Sequence, residues 1–415
     1  MSVTFVGLMC HAPIVIPVIG GAERGQCART TRAMREIAQR AVSHAPERLV
    51  LVSPHSPRAR ENWGAWDGRH VGDLAAFRAP QLRIDLPDAP EVAEAVHGRR
   101  IGRDNELDHG AMVPLWFLWE AGWRGPTAIL SQPWVEEAGG GPESIGRRIA
   151  ALPGRTVVIA SGDMSHRLKP GAPAGYHPHA QAFDRAFVQG LESQRWEVAI
   201  AAPGREAAAE DVITSTRVAM GAAGRPLHAE VVSYEGPFGV GYTEAVLYDD
   251  QPPLYAIARQ AIHAAVQGRP FDVPRGGGPA AGVFVTLHKR GELRGCVGTI
   301  LGRAPSLWEE VAGIAPESAL SDDRFEPVRP DELPELHIEV SVLEPPEPVK
   351  DPATLDPARW GVIMTSGRRR ALLLPDIDGI DTVATQLDAV RRKAGIPPGA
   401  PVELERFSVR KEEEP

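Results

Sequence analysis

The sequence predicts a two-domain α/β protein, and three observations carry that reading. First, three short apolar runs, Val3–Leu8, Leu49–Val52 and Thr156–Ala160, have the near-continuous hydrophobicity of strands buried on both faces, and each stops at a polar loop carrying a histidine. Second, residues 22–45 read as an amphipathic helix between the first two runs, and strand–helix–strand at this spacing implies a parallel crossover. Third, 415 residues exceed one ordinary core, and the polar, Pro-rich Asp249–Pro253 divides the chain into residues 1–250 and 254–411.

Taken in order, Val3–Leu8 runs into Met9-Cys10-His11-Ala12-Pro13, and Leu49–Val52 into Ser53-Pro54-His55-Ser56-Pro57. Pro54 cannot donate to a sheet ladder, so His55 stands just past a strand end. Residues 57–82 read as loop and carry Trp63, Trp66 and Phe77. A short helix is expected over 91–98. An apolar helix follows over 114–122, with Trp116 and Trp119 at core-facing i,i+3 spacing. Ala128–Leu130 reads as a strand and 143–151 as a helix. Thr156–Ala160 then leads into Ser161-Gly162-Asp163-Met164-Ser165-His166. Helices are expected over 178–201 and 206–223, and strands over 228–234 and 241–248. Beyond the boundary, the pattern predicts a helix at 254–267, a strand pair at 283–288 and 293–300, a half-covered strand at 337–343, and a helix at 381–394 closed by Gly395 and Pro397.

Composition narrows the function classes. A formal net charge of -9 argues against a nucleic-acid partner, which needs a basic face. No apolar run approaches the ~20 residues of a spanning helix, and no basic region precedes an apolar block, so neither a membrane partner nor a signal peptide is expected. Cys10, Cys27 and Cys296 have no metal or disulfide spacing, which fits a reducing cytoplasm. Ten of the thirteen histidines precede residue 250, so imidazole chemistry belongs to the first domain. Gly139-Gly140-Gly141 lacks the lysine of a phosphate loop, and His177-Pro178-His179 reads as an exposed pair.

Ligands of open α/β sheets bind beyond the carboxyl ends of the strands, where His11, His55 and His166 stand. Two neutral imidazoles and one carboxylate on one face of a metal leave open coordination positions, a donor set that suits non-haem Fe(II) oxygenases. His11 and His55 are the natural imidazole pair. Asp163, Glu235 and Glu244 are the candidate carboxylates. Asp163 also suits an orienting partner for His166, and Glu244 is a charge set in an apolar strand.

Five features occur in order along the first domain: His11-Ala12-Pro13, Ser53-Pro54-His55-Ser56, Asp108-His109-Gly110, Ser161-Gly162-x-x-Ser165-His166, and a late glutamate in a strand. In this the domain resembles the class III extradiol ring-cleavage dioxygenases of the protocatechuate 4,5-dioxygenase β-subunit type. The resemblance implies a mixed sheet with helices on both faces. It implies Fe(II) held by His11, His55 and Glu244, with His109 and His166 acting near the substrate. His166 would be the general base and later acid, and His109 a hydrogen-bond donor to a substrate or reduced oxygen. The substrates implied are O2 and a small catechol-like or aminophenol-like ring, with Trp63 and Trp66 as candidate aromatic walls. Asp163-Met164 departs from the small residues of the ring-cleavage enzymes and is closer to Memo-type relatives, which implies a second reading as a metal-binding or scaffold protein without ring cleavage.

In the second domain, Leu293-Arg294-Gly295-Cys296-Val297-Gly298-Thr299, with Asp322-Asp323-Arg324-Phe325 and Leu372-Leu373-Leu374-Pro375, is similar to the AMMECR-type domain, a smaller α/β unit. That resemblance implies a radical-SAM protein as partner. A homo-oligomer is also expected. Cys296 reads as a buried structural thiol, with His288 the sequence-local base if it were a nucleophile, and Arg294 as an anion contact.

Overall fold

The computed structural model describes residues 2–101, 107–224, 229–274, 276–377 and 379–414. His228, the first residue of one expected strand, lies outside them. The chain divides into two compact units, Met1–Asp250 and Gln251–Pro415.

The first unit contains, in order, β1 (Val3–Met9), α1 (Pro17–Gly20), α2 (Ala28–Ser43), β2 (Arg48–Ser53), β3 (Gly64–Trp66), β4 (His70–Leu74), β5 (Ala79–Leu86), α3 (Pro90–Ala95), β6 (Arg99–Ile101), α4 (His109–Glu120), β7 (Thr127–Ser131), α5 (Pro142–Ala150), β8 (Thr156–Ser161), α6 (Ala180–Glu192), α7 (Trp196–Ile200), α8 (Arg205–Ala208), α9 (Ile213–Ala223), β9 (Glu230–Glu235) and β10 (Tyr242–Asp249). Eight strands form one mixed sheet in the order β6-β3-β7-β2-β8-β1-β10-β9. The four central strands β7, β2, β8 and β1 are parallel, and β10 and β9 add antiparallel at one edge. Every residue of β1, β2 and β8 is buried, which is why these three runs are so apolar. Alternate side chains feed two cores. Val6, Leu8, Val50, Val52 and Val158 pack on one face with α5, α6 and α9, and Phe5, Leu49, Leu51, Val157 and Ile159 on the other with α2 and α4.

Three expectations are corrected. Residues 57–82, read as loop, hold β3, β4 and the start of β5, and Trp63 and Trp66 are only 2% and 5% exposed. Their indole N–H groups donate to the Ala138 carbonyl and Ser56 Oγ, so both support the core rather than wall a pocket. The helix expected at 178–201 is broken into α6 and α7 by a turn with Gln194 at φ 58°. The helix expected at 206–223 is likewise two, α8 and α9, separated at Ala209, which takes the left-handed conformation at φ 55°.

The second unit contains α10 (Leu254–Val266), β11 (Gly282–Lys289), β12 (Glu292–Gly298), α11 (Leu307–Leu320), β13 (Leu336–Leu343), β14 (Glu347–Pro348), β15 (Gly361–Ser366), β16 (Arg369–Leu373), α12 (Val383–Lys393), β17 (Glu403–Phe407) and β18 (Val409–Glu413). They form two four-stranded sheets, β12-β11-β13-β18 and β14-β17-β15-β16.

At the end of β10 a charged network pins α2. Arg40 donates to Glu230 at 2.8 Å and to Asp249 at 3.0 Å, and His44 pairs with Asp249 at 2.9 Å and Asp250 at 3.1 Å. Burial opposes the His44 charge, but hydrogen bonds to the two aspartates and their negative charge outweigh it and lift its pKa to about 9. A folded pKa above the unfolded value means stabilisation fully present below pH ~6.5 and lost as pH rises through ~9. Denaturant unfolding between pH 6.5 and 9.5 should show a loss on the order of 2–3 kcal/mol from this group. His44→Gln should be less stable at pH 6.5 and show a shallower slope, by the part that His44 contributes.

Candidate metal centre

The parallel strands β1, β2 and β8 end side by side, so the loops after them converge at one sheet edge. His11 follows β1, His55 follows β2, and the Asp163–His166 loop follows β8. The His11 and His55 Nε2 atoms lie 3.1 Å apart. His109 joins them: the three imidazoles offer nitrogens within 4.8 Å of one another.

The supports are local and legible. Asp108 caps α4 by accepting the Ala111 N–H at 3.0 Å, and it also accepts the hydroxyls of Ser53 at 2.6 Å and Ser56 at 2.5 Å, which flank His55. One carboxylate thereby fixes both the helix that carries His109 and the loop that carries His55. Gly110 is required between them, because a Cβ there would sit 2.7 Å from Ser53 Oγ and 3.1 Å from the His55 ring. Ser161 Oγ donates to the Gly110 carbonyl at 2.6 Å, so it accepts from His11 Nδ1 at 3.0 Å. That leaves His11 Nε2 facing the centre, the outer-shell arrangement that orients a metal-ligating imidazole.

The carboxylate that meets both imidazoles is Asp211. Its Oδ2 lies 3.4 Å from His11 Nε2 and 3.1 Å from His55 Nε2, and its Oδ1 accepts the Asp163 N–H at 2.7 Å. Asp211 was not among the sequence candidates, because residues 206–223 read as one uninterrupted helix. The readable trace is the Glu210-Asp211 pair before Val-Ile-Thr-Ser-Thr: Glu210 accepts the Ile213 N–H at 2.9 Å at the start of α9.

Glu244 makes no hydrogen bond to the histidines among the described residues. It is fully buried on β10, neither carboxylate oxygen has a hydrogen-bond partner among the described residues, and the Cys10 thiol faces it. Burial raises its pKa well above the ordinary carboxylate range. Glu235 accepts from Thr30 and pairs with Arg29 at 3.2 Å, away from the histidines. Asp163 accepts the His11 backbone N–H at 2.9 Å, and its other oxygen lies 3.8 Å from His11 Nε2 and 4.0 Å from His166 Nε2.

Electrostatics follow from this packing. Burial works against the His11 charge, but Asp163 and Asp211 override it and hold its pKa at about 9. Burial would raise Asp211, yet His11 and His55 hold it well below the carboxylate range. His109 is pushed down to about 4, first by burial and then by His55 and His11, so it is neutral at pH 7. His166 Nδ1 lies 2.8 Å from the Ala209 carbonyl and so donates to it, which leaves Nε2 free to accept a proton.

Residues 161–166 and 209–212 touch closely. A Cβ on Gly162 would meet Val212 Cα at 2.5 Å, a backbone contact that cannot give way cheaply. Gly162→Ala should cost ~1–3 kcal/mol and shift the Asp211 segment. A lowered melting temperature together with reduced metal retention checks this, and metal binding like that of the parent protein would contradict it.

In the second unit, Cys296 is half-buried with Sγ 3.3 Å from Thr286 Oγ1, rather than fully buried as read from sequence. Arg294 pairs with Glu332 through two contacts at 3.1–3.2 Å, so its guanidinium already has an acidic partner.

No helix among the described residues is long and apolar enough to cross a membrane. The family profile described as the catalytic LigB subunit of aromatic ring-opening dioxygenase matches residues 6–245, and the AMMECR1 profile matches residues 255–411. Protein CA_C1420 of Clostridium acetobutylicum is 31% identical over the full length of both chains. A Thermotoga maritima protein is 53% identical over 131 residues, which cover 31% of this chain and 75% of that one. Among solved structures, uncharacterized protein PH0010 from Pyrococcus horikoshii is 32% identical, covering 39% of this chain and 89% of that chain with a TM-score of 0.36. Since the first of these profiles spans more than half of the sequence, the chain belongs to the LigB family of aromatic ring-opening dioxygenase catalytic subunits, joined here to an AMMECR1 domain.

Proposed function

We propose that the first domain is a non-haem Fe(II) extradiol dioxygenase that opens a catechol-like or aminophenol-like ring with O2. The observation that carries this reading is the mutual approach of His11 Nε2, His55 Nε2 and Asp211 Oδ2 within 3.1–3.4 Å at the carboxyl edge of the sheet. Two imidazoles and a carboxylate on one side of a point are the donor set of a facial triad, so these residues fit the metal. Bound there, Fe(II) supplies a common centre for a bidentate aromatic substrate and O2.

The chain's own residues do the rest. His166, with Nδ1–H committed to the Ala209 carbonyl, presents Nε2 to take a proton from a substrate hydroxyl and later return it. His109, neutral and with its ring centre 4.3 Å from that of His55 at a tilt of 36°, is placed to hydrogen-bond a substrate or oxygen atom. Phe77, 6.0 Å from the His109 ring and 37% exposed, supplies an aromatic edge.

The Memo-type alternative, a metal-binding or scaffold protein without ring cleavage, draws on one observation. The carboxylate in direct contact with His11 and His55 is Asp211, and the late-strand Glu244 makes no hydrogen bond to them among the described residues. Purification without oxygen, metal analysis and an oxygen-uptake screen on catechols separate the two. Iron with uptake supports the dioxygenase, and bound metal without uptake on any catechol or aminophenol supports the alternative.

A further inference from the structure

We propose that Asp184 is the positioning residue for His166: its buried carboxylate fixes the loop that carries this imidazole, so that removing it disarms His166 without disturbing the metal ligands. This rests on the acid–base reading of His166 above.

Helix α6 turns an apolar face inward, with Ala180, Phe183, Phe187 and Leu191 buried. Asp184 stands on that same face and is 0% exposed. Burying a carboxylate is costly unless its oxygens are hydrogen-bonded, and here each has a donor. Oδ1 accepts the Ser165 N–H at 3.0 Å, and Oδ2 accepts the Tyr234 hydroxyl at 2.8 Å. Among the described residues no Lys or Arg pairs with it. Burial lifts its pKa to about 6, while the Tyr234 and Ser165 donors and the charge of His166 oppose that rise. Asp184 is therefore mostly ionised at pH 7, and both of its donors are held by a charge.

The Ser165 contact places this carboxylate one residue from His166. The loop is tied to two other segments as well. Met164 N–H donates to the Gly241 carbonyl and Gly241 N–H to the Ser165 carbonyl, each at 2.9 Å, which joins the loop to the residue before β10. Ser165 Oγ and His166 N–H both donate to the Ala208 carbonyl, at 3.2 and 2.9 Å, and the His166 ring donates to the next carbonyl, that of Ala209. Asp184 holds the loop from α6. The fit leaves no slack, since a Cβ on Gly241 would lie 2.2 Å from Asp184 Oδ2 and 2.8 Å from Met164 Cβ. None of these contacts involves His11, His55 or Asp211, so the imidazole has supports of its own. A proton-transferring group misplaced by ~1 Å loses on the order of 100-fold in rate, which is the leverage such an anchor has.

Nuclear magnetic resonance on the full-length protein, isotope-labelled at the histidine nitrogens, tests this without a substrate. In the parent, the His166 Nδ1–H held by the Ala209 carbonyl should exchange slowly with solvent, and its signal is assigned by its absence from His166→Gln. In Asp184→Ala that proton should exchange ~10- to 100-fold faster, the loss expected for one or two hydrogen bonds, while the amides of β1 and β8 keep the rates of the parent. Asp184→Asn should keep the slow exchange, because its amide oxygen can accept from Ser165 and its NH2 donate to Tyr234. In iron-loaded protein turning over a catechol, Asp184→Ala should lower kcat by ~10- to 100-fold with KM and iron content unchanged. It should cost nothing further once His166 is replaced by alanine. Parent-like exchange of the His166 proton in Asp184→Ala overturns the assignment, as does an equal loss of kcat in the His166→Ala background. Exchange that rises uniformly across the core would make Asp184 a structural residue and also overturn it. Should Asp184→Ala fail to fold, Tyr234→Phe, which frees only Oδ2, takes its place: faster exchange at His166 alone supports the assignment, and parent-like exchange overturns it. Absence of turnover on any ring by the parent removes the ring-cleavage reading, and the imidazole proton still decides the role of Asp184.

Discussion

Asp211→Asn should strip iron from the protein, while Glu244→Gln should leave iron content near that of the parent chain. Asn keeps the shape of Asp211 but removes the charge that His11 and His55 face at 3.4 and 3.1 Å. Losing a ligand should cost more than the ~10–100-fold in affinity typical of outer-shell partners. Glu244 is fully buried and faces Cys10, so its amide should be tolerated. Iron per chain after anaerobic purification, with the Fe(II) dissociation constant from chelator competition, decides the matter. Iron lost with Glu244→Gln and kept with Asp211→Asn would reinstate the late-strand glutamate as ligand.

His166→Ala should lower turnover by ~10²–10⁴-fold, the range of a general acid–base group, with iron content unchanged. The ring is held by the Ala209 carbonyl and its Nε2 faces Asp163 at 4.0 Å, outside the contacts among His11, His55 and Asp211. Oxygen uptake at saturating substrate reads the first effect and metal analysis the second. Release of iron from this variant would make His166 a ligand and overturn the assignment.

The sequence showed the parallel core and the histidines for the same physical reason. Strands buried on both faces must be apolar throughout, so β1, β2 and β8 stand out, and the polar residues that end them stand out in turn. Asp108-His109-Gly110 was legible as a unit, and its cap, imidazole and close-contact glycine prove to be three separate requirements of one helix start. The outlying strands were harder. β3 is only three residues long, and β4 and β5 pair only with each other and expose alternate positions, so that their polar residues resemble loop. Asp211 was hidden by Ala209. Alanine is the best helix former, and nothing in its side chain signals a left-handed turn, which here is imposed by the surrounding contacts.

The connector between α8 and α9 is short, and a non-glycine residue in the left-handed region costs ~1–2 kcal/mol, so its shape is enforced from outside. The Ala209 carbonyl meets the His166 ring, and Asp211 meets the Asp163 backbone and two imidazoles. A ligand that binds only the intact arrangement therefore acts as a clasp on residues 205–212, and its occupancy is linked to their order. Without the proposed metal, the protein should open first at this clasp, so protease cleavage near residue 209 would report occupancy of the site before any global unfolding begins.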